Sequence, residues 1–257
     1  MIFRGRLRMA ARIGGFGALT AAMLPALLAR QRMAREDARP QVRARWVMAW
    51  SSMLLRMFGV RMMASPVPSW RTGPGHLIVA NHRSTADVLI LLRAFGGHMV
   101  SRADLARWPL LGKAARSVGT VFVDRSDAVS GANAVRSMRA LLARGSTVIV
   151  FPEGTTFPGD DVRPFHPGAF VAAARSRAEI VPVGLAYQAG SGAAFVNESF
   201  RAHLVRMAAA DASDVAMCVG EPISVASDAR AAALRDLTHA SVQRLVHEAR
   251  GIVDART

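Results

Sequence analysis

His82 and Asp87, five residues apart, are the pair in this chain best suited to moving a proton. A neutral imidazole accepts a proton near neutral pH. A carboxylate on its other ring nitrogen fixes the tautomer and supports the imidazolium that forms. On one continuous helix, five residues rotate by about 140°, which would point the two side chains apart. The surrounding residues avoid this. An apolar run of strand character, 76–80, ends at Asn81 and His82, and Ser84 then stands three residues before Asp87 in a capping-box spacing ahead of the apolar stretch 88–92. His82 is therefore expected on the turn and Asp87 in the first helical turn, where its carboxylate can fold back onto the ring. Taken alone, the same residues also read as a loop histidine and a helix cap.

Three further stretches carry chemistry-bearing residues at strand ends. Residues 119–125 form an apolar strand pattern closing on Asp124 and Arg125, and an arginine at a strand exit is suited to gripping a phosphate or carboxylate, or to a surface ion pair. Lys113, the one lysine, lies twelve residues earlier and either adds positive charge or is solvated. Residues 150–156 run from an apolar strand into a Pro152-Glu153-Gly154 turn followed by Thr155 and Thr156. There Gly154 lets backbone amides approach a ligand, and Glu153 can orient a polar headgroup or an arginine. In 180–185 Pro182 interrupts an apolar strand, the mark of an edge or a site-facing bend.

These stretches need an alternating scaffold, and the sequence has one. Short apolar strands are expected at 76–80, 97–101, 119–123, 146–151, 180–186 and 214–219. Amphipathic helices are expected near 84–95, 109–117, 127–144, 168–176, 200–210 and 228–250. The pattern predicts an α/β layered domain with a largely parallel sheet flanked by helices, over 69–257. A Pro-containing segment, 65–68, separates it from residues 1–68.

The first segment differs in charge. The 257-residue chain carries a formal charge of +15, and twelve arginines against Glu36 and Asp37 place most of it in residues 1–61. Interleaved with Met, Leu, Trp and Phe, these arginines suit an anionic membrane surface better than a nucleic-acid backbone. Residues 13–29 form a 17-residue uncharged run, at the lower limit for a spanning helix. A second helix is expected over 41–63, with Trp46, Trp50, Leu54 and Met57 on one stripe that faces either the bilayer or the protein itself. The segment is thus expected to associate with a membrane. A lone cysteine, Cys218, excludes an internal disulfide and any Cys-x-x-Cys site, and is expected buried in a late strand. Neither His-Glu-x-x-His nor Gly-x-Ser-x-Gly occurs, so zincin and serine-hydrolase chemistry lack their signatures.

In order, the four stretches resemble the blocks of the glycerophospholipid acyltransferase family, which contains the 1-acylglycerol-3-phosphate acyltransferases: His82 to Asp87, Gly119 to Arg125, Phe151 to Thr155 and Ile180 to Gly184. The resemblance covers about 76–186. It implies transfer of a fatty acyl group from acyl-CoA or acyl-carrier protein to a lysolipid hydroxyl at a membrane, with the active site on the cytoplasmic side. No metal, no cofactor beyond the donor substrate and no nucleic acid is implied. His82 and Asp87 would be catalytic; Arg125, Glu153, Gly154, Thr155, Gly119 and Phe122 would bind substrate, and Pro182 would lie on the acyl side. One departure concerns the acceptor: many lysophosphatidate acyltransferases carry arginine directly after Phe-Pro-Glu-Gly-Thr, where this chain has Thr156. Lys113, Thr156 and Arg163 are further acceptor contacts to consider. The expected acceptor is 1-acylglycerol-3-phosphate, giving phosphatidic acid. The alternatives are a lyso-ornithine lipid or another lysophospholipid, or a lipid-binding protein without turnover.

Overall fold

The computed structural model describes residues 2–65, 67 and 75–256. The basic N-terminus forms one long helix, α1 (Ile2–Met33), which continues through Pro25 and turns into α2 (Arg39–Met57). The two pack closely at Gly15, where a Cβ would stand 2.9 Å from the Met57 sulfur. The Trp50 indole faces α1 rather than open surroundings, with its Nε1–H donated to Thr20 Oγ1 at 3.1 Å and its ring beside Phe16. Leu54 and Leu55 are fully buried, so the stripe on α2 packs against the protein. Among the described residues, one helix, Arg4–Met33, is long and apolar enough to cross a membrane.

The helix expected over 41–63 stops at Met57. Gly59 takes φ +71°, which ends the helical path, and Val60–Ala64 forms a strand, β1. The expected boundary at 68/69, including Pro66 and Pro68, lies outside the described residues.

From residue 75 the chain alternates as expected: β2 (His76–Ala80), α3 (Ala86–Phe95), β3 (His98–Arg102), α4 (Pro109–Ser117), β4 (Val121–Val123), α5 (Ala128–Ala143), β5 (Thr147–Val150), α6 (Gly168–Ser176), β6 (Glu179–Tyr187), α7 (Phe200–Ala209), β7 (Ser213–Val219) and α8 (Ala231–Asp254). The seven strands form one sheet in the order β1-β7-β6-β2-β5-β3-β4, parallel throughout except between β6 and β7.

β2 is apolar without a break because both its faces are covered. Ile78 and Ala80 join the core with Leu54, Ile90, Leu91 and Met217, whereas Leu77 and Val79 join Met138, Phe170, Val242 and Val246 on the opposite side. The result is a helix–sheet–helix sandwich, with α2 and α3 on one layer and α5, α6 and α8 on the other. Cys218 is buried in β7 as expected, and burial pushes its thiol up to about 11.

Candidate active site

The C-terminal end of β2 sits near the centre of the sheet, between β6 and β5, where loops from several strands converge. Asn81 extends the sheet by one side-chain pairing: its amide donates to Leu185 O at 2.9 Å and accepts from Leu185 N at 2.8 Å. This anchors the backbone one residue before His82.

His82 leaves the strand, and Asp87 folds back to it as the spacing predicts, with Nδ1 3.0 Å from Asp87 Oδ2. Since a carboxylate accepts, the ring proton sits on Nδ1. Nε2 makes no hydrogen bond among the described residues and carries the free lone pair. The ring stacks on Phe151, with centroids 4.1 Å apart. Its side chain keeps 17% exposure while that of Asp87 has none.

The Asp87 carboxylate is surrounded by donors. Oδ2 also accepts from the backbone N–H of Arg83 (2.6 Å) and Ser84 (2.7 Å), and Oδ1 accepts from the Tyr187 hydroxyl at 2.5 Å. The Ser84 hydroxyl accepts from Ala86 N at 3.0 Å and not from Asp87 N, so only the Asp87-to-Ser84 half of the capping box read from the spacing forms, and Thr85 is the N-cap. Four donors compensate a fully buried negative charge and fix its orientation. Behind this cap lies His203 of α7, whose Nε2 accepts from Thr85 N at 3.3 Å while Nδ1 faces Glu198 at 3.1 Å. Burial lowers the His203 pKa, consistent with a neutral ring in that tautomer.

Of the two roles read for Glu153, a headgroup or an arginine, the arginine contact is present in the structure. The Glu153 carboxylate is fully buried and accepts from His82 N at 2.7 Å, from Arg83 Nη1 at 3.0 and 3.1 Å, and from Arg163 N at 2.8 Å. The side chain therefore holds the His82 backbone, and its carboxylate is engaged by protein donors. Arg83, which sequence reasoning passed over, also donates to the carbonyls of His82, Gly159 and Asp161 at 3.0, 2.5 and 2.8 Å. Together Arg83 and Glu153 tie the turn after β2 to the loop after β5.

That loop is fastened from α8 as well. Arg250 forms a two-pronged pair with Asp160 at 2.7 and 3.0 Å, and Gln243 bonds Asp160 O and Val162 N at 3.0 and 2.8 Å. Thr155 and Arg163 stand exposed on it, with Thr156 partly covered. The Arg163 guanidinium lies over the Phe157 ring at 5.1 Å. Gly154 takes φ +91°, and a Cβ there would stand 3.0 Å from His166 Nε2 and 3.2 Å from Arg125 Nη1. Its own N–H closes a turn onto Phe151 O at 3.1 Å, and among the described residues the Thr155 and Thr156 amides beside it have no acceptor.

Arg125 thus reaches the Phe151–Gly154 turn from the far edge of the sheet. β4 lies three strands from β2, roughly 14 Å at about 4.8 Å per strand. Arg125 makes no hydrogen bond or ion pair among the described residues, and partial desolvation and the nearby Arg102 lower its pKa from the ordinary value. Arg102 is itself satisfied by Asp104 at 3.0 and 2.9 Å. An uncompensated guanidinium beside Gly154 suits an anionic group.

The other expected contacts lie elsewhere. Gly119 takes φ +75° at the turn into β4, and its carbonyl accepts from His98 Nδ1 at 2.8 Å; the position requires glycine for backbone reasons. Phe122 and Gly119 line an open cleft of about 390 Å³ between β4 and α5. Lys113 is exposed on α4 with no bond to the site. Pro182 is buried in β6, an interior strand, which corrects the edge expectation. Its carbonyl accepts from Gly220 N, so its missing N–H faces the β7 side just before that ladder starts at Val183. Among the described residues, no group of three or more His, Cys, Asp or Glu is placed to hold a metal ion.

Comparison with known proteins agrees with the four blocks. A family model described as Acyltransferase matches residues 65–186. The chain is 31% identical over 153 residues to a probable 1-acyl-sn-glycerol-3-phosphate acyltransferase of Mycoplasma genitalium, covering 57% of this chain and 56% of that protein. It is 28% identical over 213 residues to a lyso-ornithine lipid O-acyltransferase of Brucella abortus, covering 76% and 79%. The crystal structure of the 1-acyl-sn-glycerophosphate acyltransferase PlsC from Thermotoga maritima superposes with a TM-score of 0.77 at 19% identity over 96% of each chain, a likeness of fold. In its ordered blocks, in the Acyltransferase domain matched over residues 65–186 and in these relatives, the chain is similar to the glycerophospholipid acyltransferases.

Proposed function

We propose that this protein transfers a fatty acyl group from a thioester, on coenzyme A or acyl-carrier protein, to the free hydroxyl of a lysolipid. The observation that carries this reading is the His82–Asp87 contact of 3.0 Å, with Nε2 of His82 left free. His82 Nε2 takes the proton of the acceptor hydroxyl as its oxygen attacks the thioester carbonyl. The C–O bond forms, and collapse of the tetrahedral intermediate breaks the C–S bond. The imidazolium then returns the proton to the departing thiolate. Asp87 stabilises that imidazolium, as in a Ser-His-Asp triad with the substrate hydroxyl in place of the serine. No acyl-enzyme is needed, and Cys218 is too buried and too weakly acidic to form one.

The acceptor is expected to be anionic, with Arg125 and Arg163 the guanidiniums available to it. Lysophosphatidate stands first. A lyso-ornithine lipid is the second reading, favoured by Thr156 and by the wider span of the match to the Brucella abortus protein. α1 supplies the membrane attachment, with the active site on the cytoplasmic face. Full-length protein assayed with acyl-CoA and acyl-carrier-protein donors against a panel of lysolipids, with product masses read directly, tests both levels. Acylation of lysophosphatidate alone supports the first acceptor, and acylation of lyso-ornithine lipid alone supports the second. Thioester that stays intact with every lysolipid would overturn the transferase reading.

A further inference from the structure

Tyr187 closes β6, one hundred residues beyond Asp87 in sequence, yet its hydroxyl is the one donor on Asp87 Oδ1 among the described residues. The other three donors, His82 Nδ1 and the N–H groups of Arg83 and Ser84, all converge on Oδ2. Oδ2 lies off the Cβ–Cγ axis, so its three donors already resist turning of the carboxylate, and the contact on Oδ1 adds a restraint from a separate strand. Tyr187 can supply that restraint because the residue is itself fixed. It is 3% exposed, it pairs with Val215 of β7, and its carbonyl accepts from Arg250 Nη1 at 2.7 Å.

We propose that Tyr187 is a positioning residue for the catalytic pair: by pinning Asp87 Oδ1 it keeps Oδ2 in line with His82 Nδ1 and so holds the general base in its working tautomer and orientation. This rests on the acyltransferase reading of the site. Burial and the charge of Asp87 both push the phenol pKa well above its ordinary value, so the hydroxyl stays a donor across the working range. The alternative is that a buried phenol has merely found an acceptor, with no bearing on His82.

Tyr187 is the only tyrosine of the chain, so protein grown with 3-fluorotyrosine carries a single fluorine reporter on this contact. In full-length labelled protein, Asp87→Asn should move that resonance, while Arg125→Lys should leave it in place. Tyr187→Phe should lower kcat about tenfold, the scale of a lost hydrogen bond to a charged group, with both KM values within about twofold. In an Asp87→Asn background the same change should alter kcat by less than about twofold, because its route to His82 is already cut. Full kcat in folded Tyr187→Phe, or an equal loss in both backgrounds, would overturn the proposal. If Tyr187→Phe does not fold, the labelled proteins decide it alone, and a resonance unmoved by Asp87→Asn overturns it. A wild type that transfers no acyl group would instead overturn the reaction reading, which the fluorine signal does not depend on.

Discussion

Replacing Glu153 by glutamine separates a buried anchor from a headgroup contact. In the folded protein the Glu153 carboxylate and Arg83 guanidinium form an ion pair whose side chains are 0% and 4% exposed. The substitution leaves Arg83 with its backbone acceptors but no counter-charge, and it turns an amide N–H₂ toward either His82 N or Arg163 N, both donors. Removing one partner of a buried pair costs about 3–5 kcal/mol. For a chain of this size each kcal/mol lowers Tm by about 2–4 °C, so a drop of about 6–20 °C is expected. Thermal unfolding of full-length protein in detergent measures it directly. Below the transition, kcat should fall because the His82 backbone is no longer held, while KM for the acceptor changes little. A Tm within about 2 °C of wild type together with a clearly raised acceptor KM would refute this reasoning and return Glu153 to the headgroup.

His82→Ala should leave a folded, membrane-associated protein and reduce acyl transfer by about 10²–10⁴, the usual contribution of a positioned base; normal turnover would remove His82 from the mechanism. Arg125→Lys keeps the charge but loses the planar fork, and should raise KM for an anionic acceptor several-fold, read in initial-rate kinetics at fixed ionic strength. Thr156→Arg should shift preference toward lysophosphatidate over lysolipids with zwitterionic headgroups, checked by paired-substrate competition. Deleting residues 1–34 removes α1 but spares α2 and β1, which carry core residues. Binding to anionic liposomes should fall sharply, and undiminished flotation would show that the contact lies elsewhere.

How much of this was legible in the sequence depended on range. His82 and Asp87 could be paired because the strand, the turn and the cap that orient them lie within twelve consecutive residues, each with its own local signature. The alternation of strands and helices was equally visible, since β2 is covered on both faces and reads as an unbroken apolar run. β1 was hidden because the apolar pattern of α2 runs on through Val60 and Met62, and only the positive φ of Gly59 separates the two. Glu153 was legible only as an acid for a headgroup or an arginine, because its burial shows once Arg83 and the backbone donors are placed around it. Tyr187 and Arg250 gave no local signal at all, because their contacts with Asp87 and Asp160 cross 100 and 90 positions of sequence.

The site divides its work between two kinds of support. The base and its carboxylate are held by backbone amides, a helix cap and the sheet, through Asn81, Arg83, Ser84 and Tyr187. The headgroup side is expected to fall to residues with free or loosely engaged side chains: Arg125 after β4, and Thr155, Thr156 and Arg163 on the loop that Arg83, Gln243 and Arg250 fasten in place. Exchanging one of these side chains is expected to change what is recognised without disturbing His82 and Asp87, because the fastenings run through backbone groups and through Glu153 and Asp160, which stay in place. A single scaffold can therefore keep one reaction while its acceptor changes. This gives a physical basis for relatives at similar identity being named for lysophosphatidate in one case and for lyso-ornithine lipid in another.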